Sequence, residues 1–382
     1  MKRAYFDNNA STPLDPVVRE AMLPYLTDHY GNPSSNHSFG ERARAGVEEA
    51  RGQVAALLNC SPDRIVLNSG GSEANNAAIL SGVMADPAKK HIVSSQVEHA
   101  SVLTPLRFLT RLGYEVELLP VDPQGGLDLD RLARAIRPDT ALVSLLAANN
   151  ETGVLWDLAA ISRICQQHGV LFHTDAIQAA GKVSLDLAAL PVDYLTIASH
   201  KLHGPKGSGA LYVRRSTPVT PLVMGSGQEN GRRAGTENVA AIVGFGKACD
   251  LATAHLPIYH RRVAALRDRI EAFILAEIPE ARINGQQSPR LANTLNVSFA
   301  GCSSAQLIQD LDDRGFAVSA HAACQSGDLD PSHVLLAMGV PEDYRHGTLR
   351  ISLSRFTVET EVDGLLAALP AAVRRSRQGF TG

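Results

Sequence analysis

Two short stretches hold residue types that could do covalent chemistry together. In His173-Thr174-Asp175-Ala176-Ile177-Gln178, an apolar run, Gly169-Val170-Leu171-Phe172, gives way to an aspartate. The stretch 198–209 places Lys201 beside His200 and His203, then turns into a Gly/Pro loop. A lysine amine condenses with carbonyl compounds. An aspartate at a strand end can keep a ring nitrogen protonated. Taken singly, a surface lysine and a helix-capping aspartate would look the same.

Taken together, an acid and a lysine about 26 residues later suit an aldehyde-bearing cofactor with a pyridinium ring. A third stretch supplies what an anion needs. Arg64-Ile65-Val66-Leu67-Asn68 reads as a strand, runs into Ser69-Gly70-Gly71-Ser72-Glu73-Ala74-Asn75-Asn76, and continues as a helix. Free backbone N–H groups and a hydroxyl at such a helix start cradle phosphate. Ser72 would serve equally as a plain N-cap, and both roles are compatible. The cofactor these stretches point to is pyridoxal phosphate (PLP).

The elements that must position these residues alternate. Strands are expected near 91–95, 115–119, 141–146, 170–174, 194–198 and 209–213, and helices over 41–58, 100–112 and 157–168. Such alternation predicts an α/β fold with a mainly parallel sheet covered by helices. Functional loops then sit at the carboxyl ends of the strands, where Gly71-Ser72, Glu98-His99, residues 149–153, Asp175 and Gln178 all fall. A long helix is expected from about Ala241 to Ile278, broken at Pro257. Beyond it, strands near 293–299 and 349–356, a helix over 305–313 and a small-residue loop around Cys324 suggest a smaller α+β domain. The expected division is a large domain over 16–255 and a small one from 1–15 and 256–382.

Composition narrows the class. At 382 residues, 45% hydrophobic and 20% charged, the chain suits an ordinary globular protein of two domains. A net charge of −3 gives no bulk drive towards nucleic acid or an anionic membrane. No signal peptide or bilayer-spanning run is expected. The five cysteines are scattered without CxxC spacing, so neither a metal site nor a disulfide framework is suggested. Reduced thiols and a cytoplasmic setting follow.

With these residues set out, the chain resembles the class V, fold-type I PLP enzymes, and within them the NifS/IscS group of cysteine desulfurases. The resemblance runs through Asp7-Asn8-Asn9-Ala10, residues 30–34, 69–76, 97–99, 149–153, 173–178, 199–207, 233–238, Ala323-Cys324 and 350–356. It implies a large domain with a seven-stranded sheet. Lys201 matches the lysine that bonds the cofactor, Asp175 the pyridinium partner and Gln178 the donor to the phenolic oxygen. His99 matches the histidine stacked on the ring. Gly71, Ser72 and His200 match phosphate contacts, and Asn150 a residue beside cofactor and substrate. Thr236 matches a phosphate contact supplied by the other subunit of a homodimer. Arg350 matches the arginine for the substrate carboxylate, a task suited to a planar guanidinium, with Asn32 assisting. Arg355 reads as structural. Cys324 matches the nucleophile, in a loop of the longer NifS/IscS type.

The implied activity converts L-cysteine to L-alanine and leaves a persulfide on Cys324. The implied acceptor is a protein such as an iron–sulfur scaffold or a thiolation enzyme, with no membrane and no direct nucleic acid partner. A selenocysteine lyase, or another class V lyase or aminotransferase, remains open on the same fold. The chain also departs from the family pattern. Ala198 stands where a phosphate-binding hydroxyl is usual, so Ser199 is expected to supply it or the bond is lost. His321 replaces a small polar residue in the cysteine loop. The chain also ends soon after Arg377, where IscS-type enzymes usually extend further.

Overall fold

The computed structural model describes residues 3–320 and 332–379. In chain order the strands are β1 (Ala4–Tyr5), β2 (Ile65–Asn68), β3 (His91–Ser95), β4 (Glu115–Leu119), β5 (Thr140–Leu146), β6 (Leu171–Asp175), β7 (Tyr194–Ala198), β8 (Gly209–Val213), β9 (Ala281–Ile283), β10 (Thr294–Phe299), β11 (Phe316–Ala317) and β12 (Thr348–Ser352). Seven of them form one sheet in the order β2-β8-β7-β6-β5-β3-β4. Its pairs from β7 to β4 are parallel, whereas β8 runs antiparallel to both β7 and β2. The expected mainly parallel sheet is therefore present.

β5, β7 and β8 are buried along their whole length. Helices must cover both faces of such a sheet. The first seven are α1 (Pro16–Thr27), α2 (Ser38–Leu57), α3 (Gly71–Met84), α4 (Ala100–Arg111), α5 (Leu129–Ala135), α6 (Leu158–Gln167) and α7 (Val239–Glu277). Side chains alternate between faces along each strand. Leu67, Val143, Leu195 and Ile197 join a core with Val54 of α2 and Phe245 of α7. Their neighbours Val66, Leu142 and Tyr194 join a separate core with Ala78 and Ile79 of α3.

A three-stranded antiparallel sheet, β12-β10-β9, and the parallel pair β1-β11 lie elsewhere in the chain. Their core joins Phe6 to Val297, Phe299, Leu349, Ile351 and Leu369. Helix α7 serves both cores. Ile242 and Phe245 pack in the first, and Val263, Leu266 and Ile270 in the second. The expected break at Pro257 does not occur, since α7 continues through it. An internal proline costs about 3 kcal/mol. Burying each of those large side chains returns about 1.5–3 kcal/mol, so packing on both sides outweighs the lost bond. By length and composition α7 could also cross a membrane, but half of its most apolar window is buried, as in a core helix.

Candidate active site

The carboxyl ends of the parallel strands deliver the reactive groups. β6 ends in Asp175, which is buried. Its Oδ2 accepts from Asn75 Nδ2 at 2.7 Å and its Oδ1 from the Ile177 amide at 2.9 Å. β7 runs into a single 3-10 turn, Ser199–Lys201, which puts the lysine at the same end of the sheet. Lys201 Nζ donates to the carbonyls of Asn9 at 2.5 Å and Ala10 at 2.8 Å. β2 reaches α3 through Gly70, whose φ of 139° lies in the region that favours glycine. At Gly71 an added Cβ would lie 2.2 Å from Ile177 Cδ1, so a larger residue there would have to displace the Ile177 side chain as α3 starts beside the end of β6. His99 caps α4, its Nδ1 accepting from the Ser101 amide at 3.1 Å. That acceptor role leaves the proton of the neutral ring on Nε2.

One cavity of about 200 Å³ gathers Gly71, Ser72, His99, Asn150, Asp175, Gln178, His200, Lys201 and Arg350. A shallower hollow at the start of α3 continues from it and adds Ser11, Ser69 and Lys206. Gln178 donates from Nε2 to the Asn9 carbonyl at 2.9 Å and accepts at Oε1 from Lys182 Nζ at 2.8 Å. Arg350, on β12, is 1% exposed. It donates to Asp7 Oδ1 at 2.7 Å and to the Asn150 carbonyl at 3.2 Å. Arg355 instead pairs with Asp15 and stacks over the Phe356 ring at 4.7 Å, in keeping with a structural role.

Two of the expected residues stand apart from the cavity. Ser199 does not line the cavity. Its Oγ is buried without a hydrogen-bond partner among the described residues, and a Cβ on Gly204 would lie 2.1 Å from it. Ala198 lines the cavity in its place, because successive residues leaving a strand face opposite ways. Asn32 is exposed and closes a local turn, its Oδ1 accepting from the Ser34 amide at 2.9 Å, and it does not line the cavity either. Thr236 sits in a separate hollow with Ser69 and Arg233. Cys324 and His321 lie outside the described residues.

The charges in the cavity are set by burial. It holds the His99 imidazole below its ordinary value, with Asp175 opposing and Lys201 reinforcing. His200 is pushed down to about 4 by burial and then by Lys201, so it is neutral at pH 7. Lys182 is pushed down to about 7 by burial and then by Lys201 and Arg350. Behind His99, burial pushes the Glu98 carboxyl up to about 8. Its Oε1 accepts from Ser95 Oγ at 2.7 Å and the Leu146 amide at 3.0 Å.

The sequence reading missed Asn9, Asn75 and Lys182. Asn9 belongs to a motif that was singled out, but its partners Asn150, Asn293, Thr294 and Ser352 lie far along the chain. Asn75 falls one helical turn after Gly71, within the phosphate stretch, and spacing alone could have suggested that it faces Asp175.

The residues present fit pyridoxal phosphate. There is an amine for its aldehyde, a buried carboxylate for its ring nitrogen and an amide beside that carboxylate. A glycine-lined helix start with His200 and Lys206 suits its phosphate. Together with the seven-stranded sheet, this is the architecture of the fold-type I PLP enzymes. A family profile described as aminotransferase class-V matches residues 4–365. Over 377 residues the chain is 48% identical to cysteine desulfurase 2 of Trichormus variabilis, an alignment covering 99% of this chain and 94% of that one. It is 44% identical over 378 residues to the cysteine desulfurase NifS of Azotobacter vinelandii, with the same coverage of 99% and 94%. A solved structure described as a NifS-like protein matches with a TM-score of 0.92 at 36% identity, covering 98% of this chain and 100% of that one. The chain belongs to the class-V aminotransferase family, in its NifS/IscS group of cysteine desulfurases.

Proposed function

We propose that this chain is a PLP-dependent cysteine desulfurase acting on L-cysteine. The observation that carries the reading is a single cavity onto which Lys201, Asp175, Gln178, His99 and Arg350 all open, in a chain of this family. When bound, the cofactor ring takes up the electrons released at the substrate Cα. Asp175 holds the ring nitrogen protonated, and Gln178 Nε2 donates to the phenolic oxygen. Lys201 Nζ would hold the cofactor through its aldehyde and, once the substrate amine has taken its place there, would receive the Cα proton. Arg350 holds the substrate carboxylate through a guanidinium already fixed by Asp7. The C–S bond of the substrate breaks as its sulfur joins Cys324 Sγ, and His99 Nε2 gives a proton to Cβ. The sum is L-cysteine plus a thiol giving L-alanine plus a persulfide. Cys60, Cys165, Cys249 and Cys302 suit that role poorly, because burial raises each of their thiols.

The persulfide is then proposed to pass to an acceptor protein, such as an iron–sulfur scaffold or a thiolation enzyme. A two-fold homodimer is part of the same reading. Thr236 lies outside the central cavity, where it can complete a partner's phosphate site, and Tyr30 and Met224 are 72% and 77% exposed. The test is alanine and sulfide release from L-cysteine with excess thiol. Lys201→Ala should abolish both products. Cys324→Ala should abolish turnover while the cofactor stays bound, and a Cys324→Ala enzyme at wild-type rate would remove that thiol from the reaction. Mixed Lys201→Ala and Thr236→Ala subunits should regain activity if sites are shared.

A further inference from the structure

Lys182 is a buried amine beside the cavity that this chemistry does not use. It is 4% exposed, and among the described residues no carboxylate lies within ion-pair distance of it. Its ammonium instead meets two amide oxygens, Gln178 Oε1 at 2.8 Å and Asn9 Oδ1 at 3.4 Å. Burying an ammonium without a counter-ion is costly. A leucine or methionine would fill the same space more cheaply, so the amine needs a local reason.

Gln178 supplies one. An amide side chain can sit either way round, and its orientation is fixed by what surrounds it. On one side the Asn9 carbonyl, which can only accept, takes the Nε2 hydrogen at 2.9 Å. On the other side Lys182 donates to Oε1. These two contacts clamp the amide in one orientation. The second hydrogen of Nε2 is then free for the cavity that Gln178 lines. Without the lysine, Oε1 is left buried without a donor, and the amide gains reason to tilt away from the cavity.

We propose that Lys182 is a positioning residue that orients the Gln178 amide so that Nε2 donates to the phenolic oxygen of the bound cofactor. The inference rests on the PLP reading above. Burial also holds the Lys182 amine down to about 7, but either protonation state keeps an N–H for Oε1.

The experiment follows the visible band of the PLP-loaded, full-length protein against pH. A donor to the phenolic oxygen favours the form in which that oxygen carries more charge. Losing it moves the midpoint of the titration upwards. Lys182→Met should raise the midpoint by about 0.5–1 pH unit, the scale of a weakened hydrogen bond to a charged group. Gln178→Ala should raise it at least as far. The double variant should match Gln178→Ala alone, since the lysine acts through the amide. Lys182→Gln keeps a donor without the charge and should bring the midpoint back towards wild type. A folded Lys182→Met protein that titrates like wild type overturns the proposal. So does a Lys182 shift that adds in full to the Gln178→Ala shift, which would mark a direct charge effect. If Lys182→Met does not fold, Lys182→Thr takes its place in the cycle, its hydroxyl too short to reach the amide. A wild-type protein that shows no visible band with PLP would sink the cofactor reading itself, which separates that failure from this one.

Discussion

The cavity has two walls of different make. One is built by the carboxyl ends of β3, β5, β6 and β7 and the loops that follow them, which present side chains such as His99, Asp175 and Lys201 from strands buried in the sheet. The other is a thin strip, Asp7 to Ser11, which presents mainly backbone. The Asn9 carbonyl accepts from both Lys201 and Gln178, and the Ala10 carbonyl from Lys201. The strip touches a sheet only at one end, where Asp7 and Asn8 pair with Ser352 of β12. The Asn9 side chain holds the rest, donating to Thr294 Oγ1 at 2.9 Å and the Asn150 carbonyl at 3.1 Å, and accepting from Asn293 Nδ2 at 2.9 Å. Reactive groups thus stand on a rigid scaffold, while their acceptors are held by a network of buried side chains, Asn8, Asn9, Ser352 and Arg350 among them. Precision on the first wall comes from the sheet, and on the second from a hydrogen-bond network in which every member counts.

The most direct way to break this comparison is Asn9→Ala. The backbone carbonyls remain, and Asn150, Asn293 and Thr294 each lose one hydrogen bond while keeping another, from Arg350, to the Leu353 carbonyl and to Asn293 Oδ1 respectively. Losing these three buried hydrogen bonds should cost about 1–3 kcal/mol of stability. Urea unfolding of the loaded protein measures the cost. Cysteine turnover should fall with it, since the Lys201 acceptors shift. A variant within about 0.5 kcal/mol of wild type would show that the strip is held by its backbone alone.

Arg350 joins the two walls, and its replacement is the next largest effect. Its guanidinium reaches Asp7 on the strip and the Asn150 carbonyl on the loop after β5. A lysine has one compact head and cannot hold both while also binding a carboxylate. Arg350→Lys should therefore raise KM for L-cysteine about 10-fold or more, the scale of one lost charge-assisted bond. The cofactor band should stay unchanged. An unaltered KM would take the substrate carboxylate away from this residue.

The first wall was largely legible in the sequence and the second was not. Buried β7 and β8 read as apolar runs and edge strand β4 as an alternating one, so β3, β4, β7 and β8 fall where expected, and His99 and Lys201 follow β3 and β7 as Asp175 ends β6. The direction of Ser199 was readable too. β7 ends at Ala198, and alternation sends the next residue to the far side. Helix α1 went unread although Asp15 caps it and Pro16 opens it, because Pro24 inside it masks the pattern. Pro370 does the same for the helix Glu359–Gly379. The work of Asn9 could not be read, because it depends on residues 293, 294 and 352 meeting residue 9. Lys182 could not be read either, since burial of a single charge leaves no local trace in the sequence.

The comparison is sharpened by a change on the first wall that alters a formal carboxylate and should do little at pH 7. Glu98 precedes His99 and is completely buried, and burial pushes its carboxyl up to about 8. At pH 7 it is therefore mostly protonated in the folded protein. Glu98→Gln keeps an oxygen to accept from Ser95 Oγ and the Leu146 amide. Turnover at pH 7 should stay within about twofold of wild type, as for a near-isosteric neutral replacement. The pH dependence of stability should differ more. Between about 4.5 and about 8 the unfolded chain gives up this proton while the folded protein keeps it. The wild-type fold therefore loses stability as pH rises through that window. The amide has no proton to lose, so the variant's curve should be flatter there by up to about 1.4 kcal/mol per pH unit. Urea unfolding at pH 5, 6, 7 and 8 measures the slope. A variant with the wild-type slope, or one that loses turnover more than about 10-fold at pH 7, would mean that Glu98 is ionised in the folded protein and holds the first wall by its charge.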